Sequence, residues 1–97
     1  MELAKVVGTV VATRKNESLT GKKLMLCQPL TPKLQPKGEA FVMVDTAGAG
    51  VGEVVLFVRG GAARNALGQK DAAIDGAIVG IVDMVEAEGE IYRPDDY

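Results

Sequence analysis

Hydrophobic and polar residues alternate along the first part of the chain. Between Leu3 and Thr13, Ala4 and Val6 fall on one face of an extended backbone, and Lys5 and Thr9 fall on the other. A two-residue period with many β-branched side chains is typical of a β-strand. The pattern therefore predicts a first strand over this stretch.

Four further apolar runs predict four further strands. Gly and Pro, the residues that most often interrupt regular structure, separate these runs. The stretch from Pro29 to Gly38 is predicted to be a long loop, because its prolines lack the N–H group that a sheet ladder needs. The predicted strands are Lys23–Leu30, Glu39–Asp45, Val54–Arg59 and Ala77–Ala87.

One short helix is predicted after the fourth strand, within Gly60–Gly68, where Ala, Arg and Leu stand between glycines. Five strands with one such helix predict an all-β fold, a small antiparallel five-stranded barrel like the oligonucleotide-binding (OB) fold. The 97 residues are enough for one domain. We expect residues 1–97 to form it, with the barrel over 1–87 and a C-terminal tail over 88–97.

The apolar content exceeds what the inside of such a barrel needs. Hydrophobic residues make up 47% of the chain, and three of the predicted strands are apolar on both faces. In a small barrel one face of each strand points inward. The outward apolar side chains therefore indicate contact with other copies of the chain.

Charge and cysteine content exclude some classes of protein. The net charge of −2 lacks the basic excess of a nucleic-acid-binding domain. The single cysteine, Cys27, cannot form an internal disulfide. No signal peptide and no bilayer-spanning apolar stretch is recognisable, so we expect a cytoplasmic protein without a membrane partner.

The stretch from Val44 to Arg64 resembles a nucleotide-binding loop, with glycines at positions 48, 50 and 52. A dinucleotide fingerprint needs a helix after the glycines, because the free N–H groups of the helix hold the pyrophosphate. Here the strand-like run Val54–Val58 follows. We therefore interpret the loop as a tight turn in which glycine provides positive φ angles or close backbone approach.

Few residues are suited to catalysis. The chain has no histidine, and Cys27 lies in an apolar strand, where a thiol is usually inert packing. The carboxylates flank predicted turns, where they commonly accept hydrogen bonds from the backbone. We expect no enzyme activity, no cofactor and no metal site; a small enzyme or ligand carrier stays open as an alternative. The carboxylates in question are Asp45, Glu53, Asp75 and Asp83.

A barrel of this kind also raises the alternative of a module that binds single-stranded nucleic acid. Such barrels stack bases on aromatic side chains along a basic groove. This chain has two Phe and two Tyr, and one small basic cluster on its first connection. These few residues make binding of single-stranded nucleic acid the second hypothesis, behind a role in assembly. The cluster consists of Arg14, Lys15, Lys22 and Lys23, and the aromatic residues are Phe41, Phe57, Tyr92 and Tyr97.

Five motifs, in order along almost the whole chain, are similar to those of the EutN/CcmL family, the vertex proteins of bacterial microcompartment shells. Gly61 and Ala62 stand where that family commonly has two serines. The motifs are the strand and loop Leu3–Lys15, the step Leu19-x-Gly21-x-Lys23-Leu24, the loop Asp45-x-x-Gly48-Ala49-Gly50-x-Gly52-Glu53, the pair Ala63-Arg64 and the strand Ala77–Asp83.

The resemblance implies a structural protein that forms a cyclic homopentamer. In such shells hexameric tiles form the facets and pentamers close the corners, so the implied location is the shell of a cytoplasmic microcompartment and the implied partners are hexameric facet proteins. The glycines are expected to allow close backbone approach at or near the subunit interface, with two charged groups that fix the register. The candidate interface or pore residues are Gly48, Ala49, Gly50, Gly52, Glu53 and Arg64.

Overall fold

A computed structural model describes residues 1–13, 15–69 and 73–94. Within these residues, no helix has the length and apolar character needed to cross a membrane. A single 3-10 turn, Glu17–Leu19, precedes the second strand. The strands are β1 (Glu2–Val10), β2 (Leu24–Leu30), β3 (Phe41–Asp45), β4 (Val54–Arg59), β5 (Gly76–Val82), β6 (Val85–Ala87) and β7 (Glu90–Tyr92), and the helix α1 is Gly60–Ala66.

Five strands close into a barrel in the order β1-β2-β3-β5-β4. Every neighbouring pair is antiparallel except β3 and β5, which run parallel over two residue pairs, Val44 with Ala77 and Asp45 with Ile78. The parallel pair arises because β4 lies between them in the chain and runs the opposite way to both. The prediction of a mostly β protein with one short helix and a five-stranded barrel is confirmed.

The barrel interior is filled by side chains from all five strands. Phe57 is fully buried at its centre, and the ring of Phe41 packs edge-on against it with 5.7 Å between the ring centroids. The Arg59 guanidinium lies 4.7 Å from the ring centroid of Phe41 and 5.1 Å from that of Phe57. Its Nε also donates to Glu2 Oε2 at 2.7 Å, and this hydrogen bond lowers the pKa of Glu2. The buried residues of this core are Ala4, Val6, Met25, Cys27, Met43, Ala49, Val55, Phe57 and Ile78.

The prediction of one strand from Ala77 to Ala87 is wrong. The ladder of β5 ends at Val82, because its partner there, Val54, is the first residue of β4. The chain then turns into the hairpin β6–β7. The turn residues of this hairpin, Glu88 and Gly89, have φ angles of 54° and 80°, the positive values of a two-residue hairpin turn.

Other strand ends also differ from the prediction because a strand ends where its partner does. β1 stops at Val10 and not at Thr13, since Val10 pairs with Leu24, the first residue of β2. Pro29, which was included both in the predicted strand Lys23–Leu30 and in the predicted loop, lies inside β2 opposite Ala4. Its carbonyl accepts from the N–H of Lys37 in the following loop, so the missing proline donor faces that loop and the β1 ladder is intact.

The β6–β7 hairpin covers part of the outer barrel face. Its Val85 and Tyr92 pack against a second cluster formed by Leu30, Leu34 and Val54. Part of the outward apolar surface is therefore buried within one chain. Among the described residues, seven large apolar side chains beyond the N-terminal methionine remain between 36% and 88% exposed: Val7, Val11, Val42, Val51, Ile81, Met84 and Ile91.

A substitution at Gly76, the first residue of β5, tests the packing of Phe41 and Met43. A Cβ atom there would lie 2.8 Å from Phe41 Cε2 and 3.1 Å from Met43 Cγ. We therefore expect Gly76→Ala to lower the free energy of unfolding by about 1–3 kcal/mol through overpacking. Gly80→Ala is the matched control, since its Cβ would make ordinary contact with Leu56 at 3.5 Å. Urea unfolding measures both, and equal stabilities of the two variants would contradict the packing described.

Candidate functional site

The glycine-rich loop, residues 46–53, connects β3 to β4 and is organised by the carboxylate that precedes it. Asp45 Oδ1 accepts a hydrogen bond from the Ala47 N–H at 2.8 Å, and Oδ2 accepts from the Ala49 N–H at 2.7 Å. The Asp45 side chain is 1% exposed. A buried carboxylate needs such donors, because burial without partners strongly disfavours the charged form.

Lys23, at the entrance to β2, contacts both the carboxylate and the loop. Its Nζ lies 3.2 Å from Asp45 Oδ2 and donates to the Ala49 carbonyl at 2.5 Å. The ammonium therefore supplies the counter-charge for Asp45 and satisfies a loop carbonyl. We call the set Lys23, Asp45 and Ala49 the loop clasp.

A second carboxylate holds the other end of the loop. Glu53 Oε1 accepts from the Gly50 N–H at 2.6 Å, and the Glu53 N–H closes a turn onto the Gly50 carbonyl at 3.2 Å. Gly52 occupies the position of this turn that requires a positive φ, with a value of 95°. The Gly52 N–H and the Glu53 carbonyl then bond to the backbone of Val6, which joins the loop to β1.

These contacts give a physical reason why the loop is not a phosphate cradle. A cradle needs free N–H groups that converge on the anion. Here the N–H groups of Ala47, Ala49 and Gly50 are donated to the protein's own carboxylates. Those two negative charges would also repel a bound phosphate. The interpretation of this segment as a structured turn fits its geometry.

The six candidate residues do not form one cluster. Ala49 is buried in the core, Gly48 is exposed with a φ of 79°, and Gly50 is half-buried without a positive φ. Arg64 lies on α1, beyond the far end of β4, and lines a surface depression together with Ala73, Ile74 and Asp75. The length of β4 thus separates Arg64 from the loop.

Arg64 is the candidate whose charge has no partner among the described residues. Its residue is half-buried, yet its guanidinium makes no hydrogen bond or ion pair with another residue in the described part of the chain. A guanidinium offers five donors in a planar fork that suits carboxylates and carbonyls. Within the described residues, the five donors of Arg64 are unused.

Sequence reasoning missed the role of Lys23, which was grouped with the basic cluster. Lys15, Lys22 and Lys23 do line one surface depression, while Arg14 lies outside the described residues. Lys15 donates to the Ala12 carbonyl at 2.8 Å, and the charge of Lys23 is matched by Asp45. An aspartate directly before a glycine-rich turn could have indicated that Asp45 holds the loop. Its partner Lys23 could not be identified this way, because it is distant in sequence.

The aromatic side chains are used for packing. Phe41 and Phe57 pack against each other in the barrel, and Tyr92 of the hairpin packs against the second cluster of Leu30, Leu34 and Val54. Tyr97 lies outside the described residues. A groove that stacks successive bases needs accessible rings. The three described rings therefore do not form the stacking surface that the nucleic-acid hypothesis requires.

The Cys27 thiol is placed as structural packing. It is fully buried, and burial together with the negative charge of Asp45 raises its pKa to about 11. A rise from 9.0 to this value lowers the thiolate fraction at neutral pH about a hundredfold. Across residues 1–13, 15–69 and 73–94, no group of three Cys, Asp or Glu side chains is arranged to hold a metal ion.

The fold and this loop define a small five-stranded barrel with a glycine-rich loop that is held by two of the protein's own carboxylates. The family model for "Ethanolamine utilisation protein EutN/carboxysome" matches residues 1–83. The chain is 55% identical to the bacterial microcompartment shell vertex protein GrpN of Rhodospirillum rubrum, over 89% of this chain and 97% of the relative. It is 48% identical to the carboxysome shell vertex protein CcmL of Synechocystis, over 99% and 97% of the two chains.

A solved structure, described as the GrpN pentameric microcompartment shell protein from Rhodospirillum rubrum, superposes with a TM-score of 0.80 at 53% identity. The match covers 90% of this chain and 99% of that one. The chain belongs to the EutN/CcmL family. The membership predicted from the sequence motifs is confirmed, and these relatives carry the names of shell proteins.

The reactivity of Cys27 tests the assignment of this thiol to packing. We expect iodoacetamide at pH 8 to leave Cys27 unmodified in the folded protein and to alkylate it fully in 6 M guanidinium, because burial and the raised pKa both suppress the thiolate. Mass spectrometry of the intact chain measures the added mass. Alkylation of the native protein at the rate of a free thiol would contradict the assignment.

Proposed function

We propose that this chain is a structural protein that assembles into a cyclic homopentamer and caps the vertices of a bacterial microcompartment shell. The observation that carries the proposal is the near full-length match to shell vertex proteins, one of them solved as a pentameric shell protein. The proposed location is the shell of a microcompartment in the cytoplasm. The proposed partners are other copies of the chain and hexameric facet proteins.

Geometry makes a five-fold unit necessary for closure. A flat sheet of six-fold tiles cannot close into a polyhedron without five-fold positions. A ring of five requires a heterologous interface, in which one face of each subunit docks on a different face of the next. The remaining exposed apolar side chains, such as Val42 and Ile81, provide surface for that docking.

Two of the candidate residues, Gly50 and Arg64, have features that contacts among the described residues leave unexplained. Gly48 and Gly52 have positive φ angles, which account for glycine at both positions. Gly50 does not, and a Cβ there would meet just the Glu53 Oε1 atom, at 3.4 Å. In the proposed ring, Gly50 is the position where a neighbouring backbone approaches closely, and Arg64 donates to a carboxylate or carbonyl of another subunit.

Shell closure tests the vertex role. We expect co-expression with the hexameric facet proteins of the same gene cluster to give closed polyhedral shells, and omission of this chain to give open sheets, tubes or shells with unfilled corners. Electron microscopy of purified particles distinguishes these forms. The proposal fails if closed shells with filled corners form equally well without the chain.

Variants at Gly50 and Arg64 test the proposed contacts. We expect Gly50→Ala and Arg64→Ala each to raise the subunit dissociation constant at least about thirtyfold, which corresponds to the loss of about 2 kcal/mol at an interface hot spot, while the melting temperature of the subunit changes little.

The controls for these variants separate assembly from folding. Gly52→Ala should lower subunit stability by about 1 kcal/mol, because alanine is strained at its positive φ. Lys37→Ala removes an exposed charge and should change neither property. Analytical ultracentrifugation and thermal unfolding provide the two readouts. Association unchanged by both Gly50→Ala and Arg64→Ala would refute this placement of the interface.

A further inference from the structure

We infer that the loop clasp positions the glycine-rich loop for subunit docking before assembly begins, with Asp45 and Lys23 as its positioning residues. The inference rests on the proposed function, because it takes the loop as part of the ring interface. It adds that the loop shape is set within one subunit by the ion pair between the buried Asp45 and the half-exposed Lys23, and is not imposed by the neighbouring subunit.

The first observation is that six of the eight backbone N–H groups of the loop, those of residues 46, 47, 49, 50, 52 and 53, donate within the chain. Asp45 takes the N–H groups of Ala47 and Ala49, and Glu53 takes that of Gly50. The Thr46 N–H and hydroxyl both donate to the Ile78 carbonyl, at 3.1 Å and 2.6 Å. A loop held this way has one preferred conformation in the isolated subunit.

The second observation is how the clasp joins three separate elements. Asp45 is the last residue of β3, Lys23 directly precedes β2, and Ala49 is buried in the barrel core. The backbone also links these segments, because the Asp45 N–H donates to the Lys23 carbonyl at 2.9 Å. Moving the loop therefore requires breaking an ion pair and withdrawing a buried side chain.

The consequence concerns the free energy of assembly. Ordering a flexible loop on association opposes binding, and a preorganised loop avoids that cost. Because Lys23 is half exposed while Asp45 is buried, Lys23 can be changed without opening the core. Loss of the clasp should then loosen the loop and weaken association, with the barrel intact.

The test uses the full chain in four variants. Asp45→Asn removes the charge and replaces one acceptor oxygen by a donor, and Lys23→Met removes the ammonium alone. Asp75→Asn and Lys22→Met are matched controls, because neither side chain makes a hydrogen bond or ion pair within the described residues. Hydrogen exchange of individual amides and sedimentation over a dilution series provide two independent readouts.

We expect Asp45→Asn to speed exchange at the Ala47 and Ala49 amides on the order of 10- to 100-fold, the range for a lost hydrogen bond to a charged group. Exchange at the β4 core amides of Val55 and Phe57 should stay unchanged. The subunit dissociation constant should rise at least about tenfold. Lys23→Met should shift the same readouts in the same direction by smaller factors, and the two controls should shift none.

Three results would overturn the inference. The first is unchanged exchange at Ala47 and Ala49 in both clasp variants. The second is equal acceleration at the loop and at Val55, which would mean general destabilisation. The third is a loosened loop with undiminished association. A wild-type chain that stays monomeric would instead refute the proposed function, so the two failures are distinguishable.

Discussion

Closure of the barrel depends on a very short seam. Four of the five strand contacts are antiparallel ladders, but β3 and β5 meet over two residue pairs, the second of which is Asp45 with Ile78. The chain extends this seam by one step, since both Thr46 donors bond to the Ile78 carbonyl. The glycine-rich loop leaves directly from that point. Barrel closure and loop conformation are therefore physically connected.

That connection explains why the ion pair between Asp45 and Lys23 lies beside the apolar core. Asp45 has its carboxylate turned inward under the loop, and a buried carboxylate is tolerated when its oxygens are fully hydrogen-bonded and paired. The two loop amides and Lys23 meet that demand. The same negative charge contributes to the raised pKa of Cys27, so one residue affects the seam, the loop and the thiol.

The sequence predicted what depends on local pattern and missed what depends on distant partners. The two-residue period located the barrel strands, and the glycine stops located α1. The end of β5 at Val82 depends on where β4 begins, and periodicity within one strand carries no such information. Likewise Lys23 reaches the Ala49 carbonyl across 26 residues of chain, so it was indistinguishable from its lysine neighbours.

The glycine-rich turn was predicted to a similar extent. Glycine was expected to provide positive φ angles or close backbone approach, and Gly48 and Gly52 have positive φ angles. The interface role of the candidate residues stays a prediction. Gly52 and Gly50 cannot be told apart in the sequence. The φ angles show that the backbone conformation requires glycine at position 52 and does not require it at position 50. The sequence predicted Arg64 as an interface candidate. The structure adds that its guanidinium has no partner among the described residues.

The most direct measurement for the central claim is the rotational symmetry and mass of the purified assembly, by single-particle electron microscopy with native mass spectrometry. A pentameric vertex protein should give a five-fold ring with the mass of five 10.2 kDa chains. A monodisperse monomer at micromolar concentration, with no ring in the images, would contradict it.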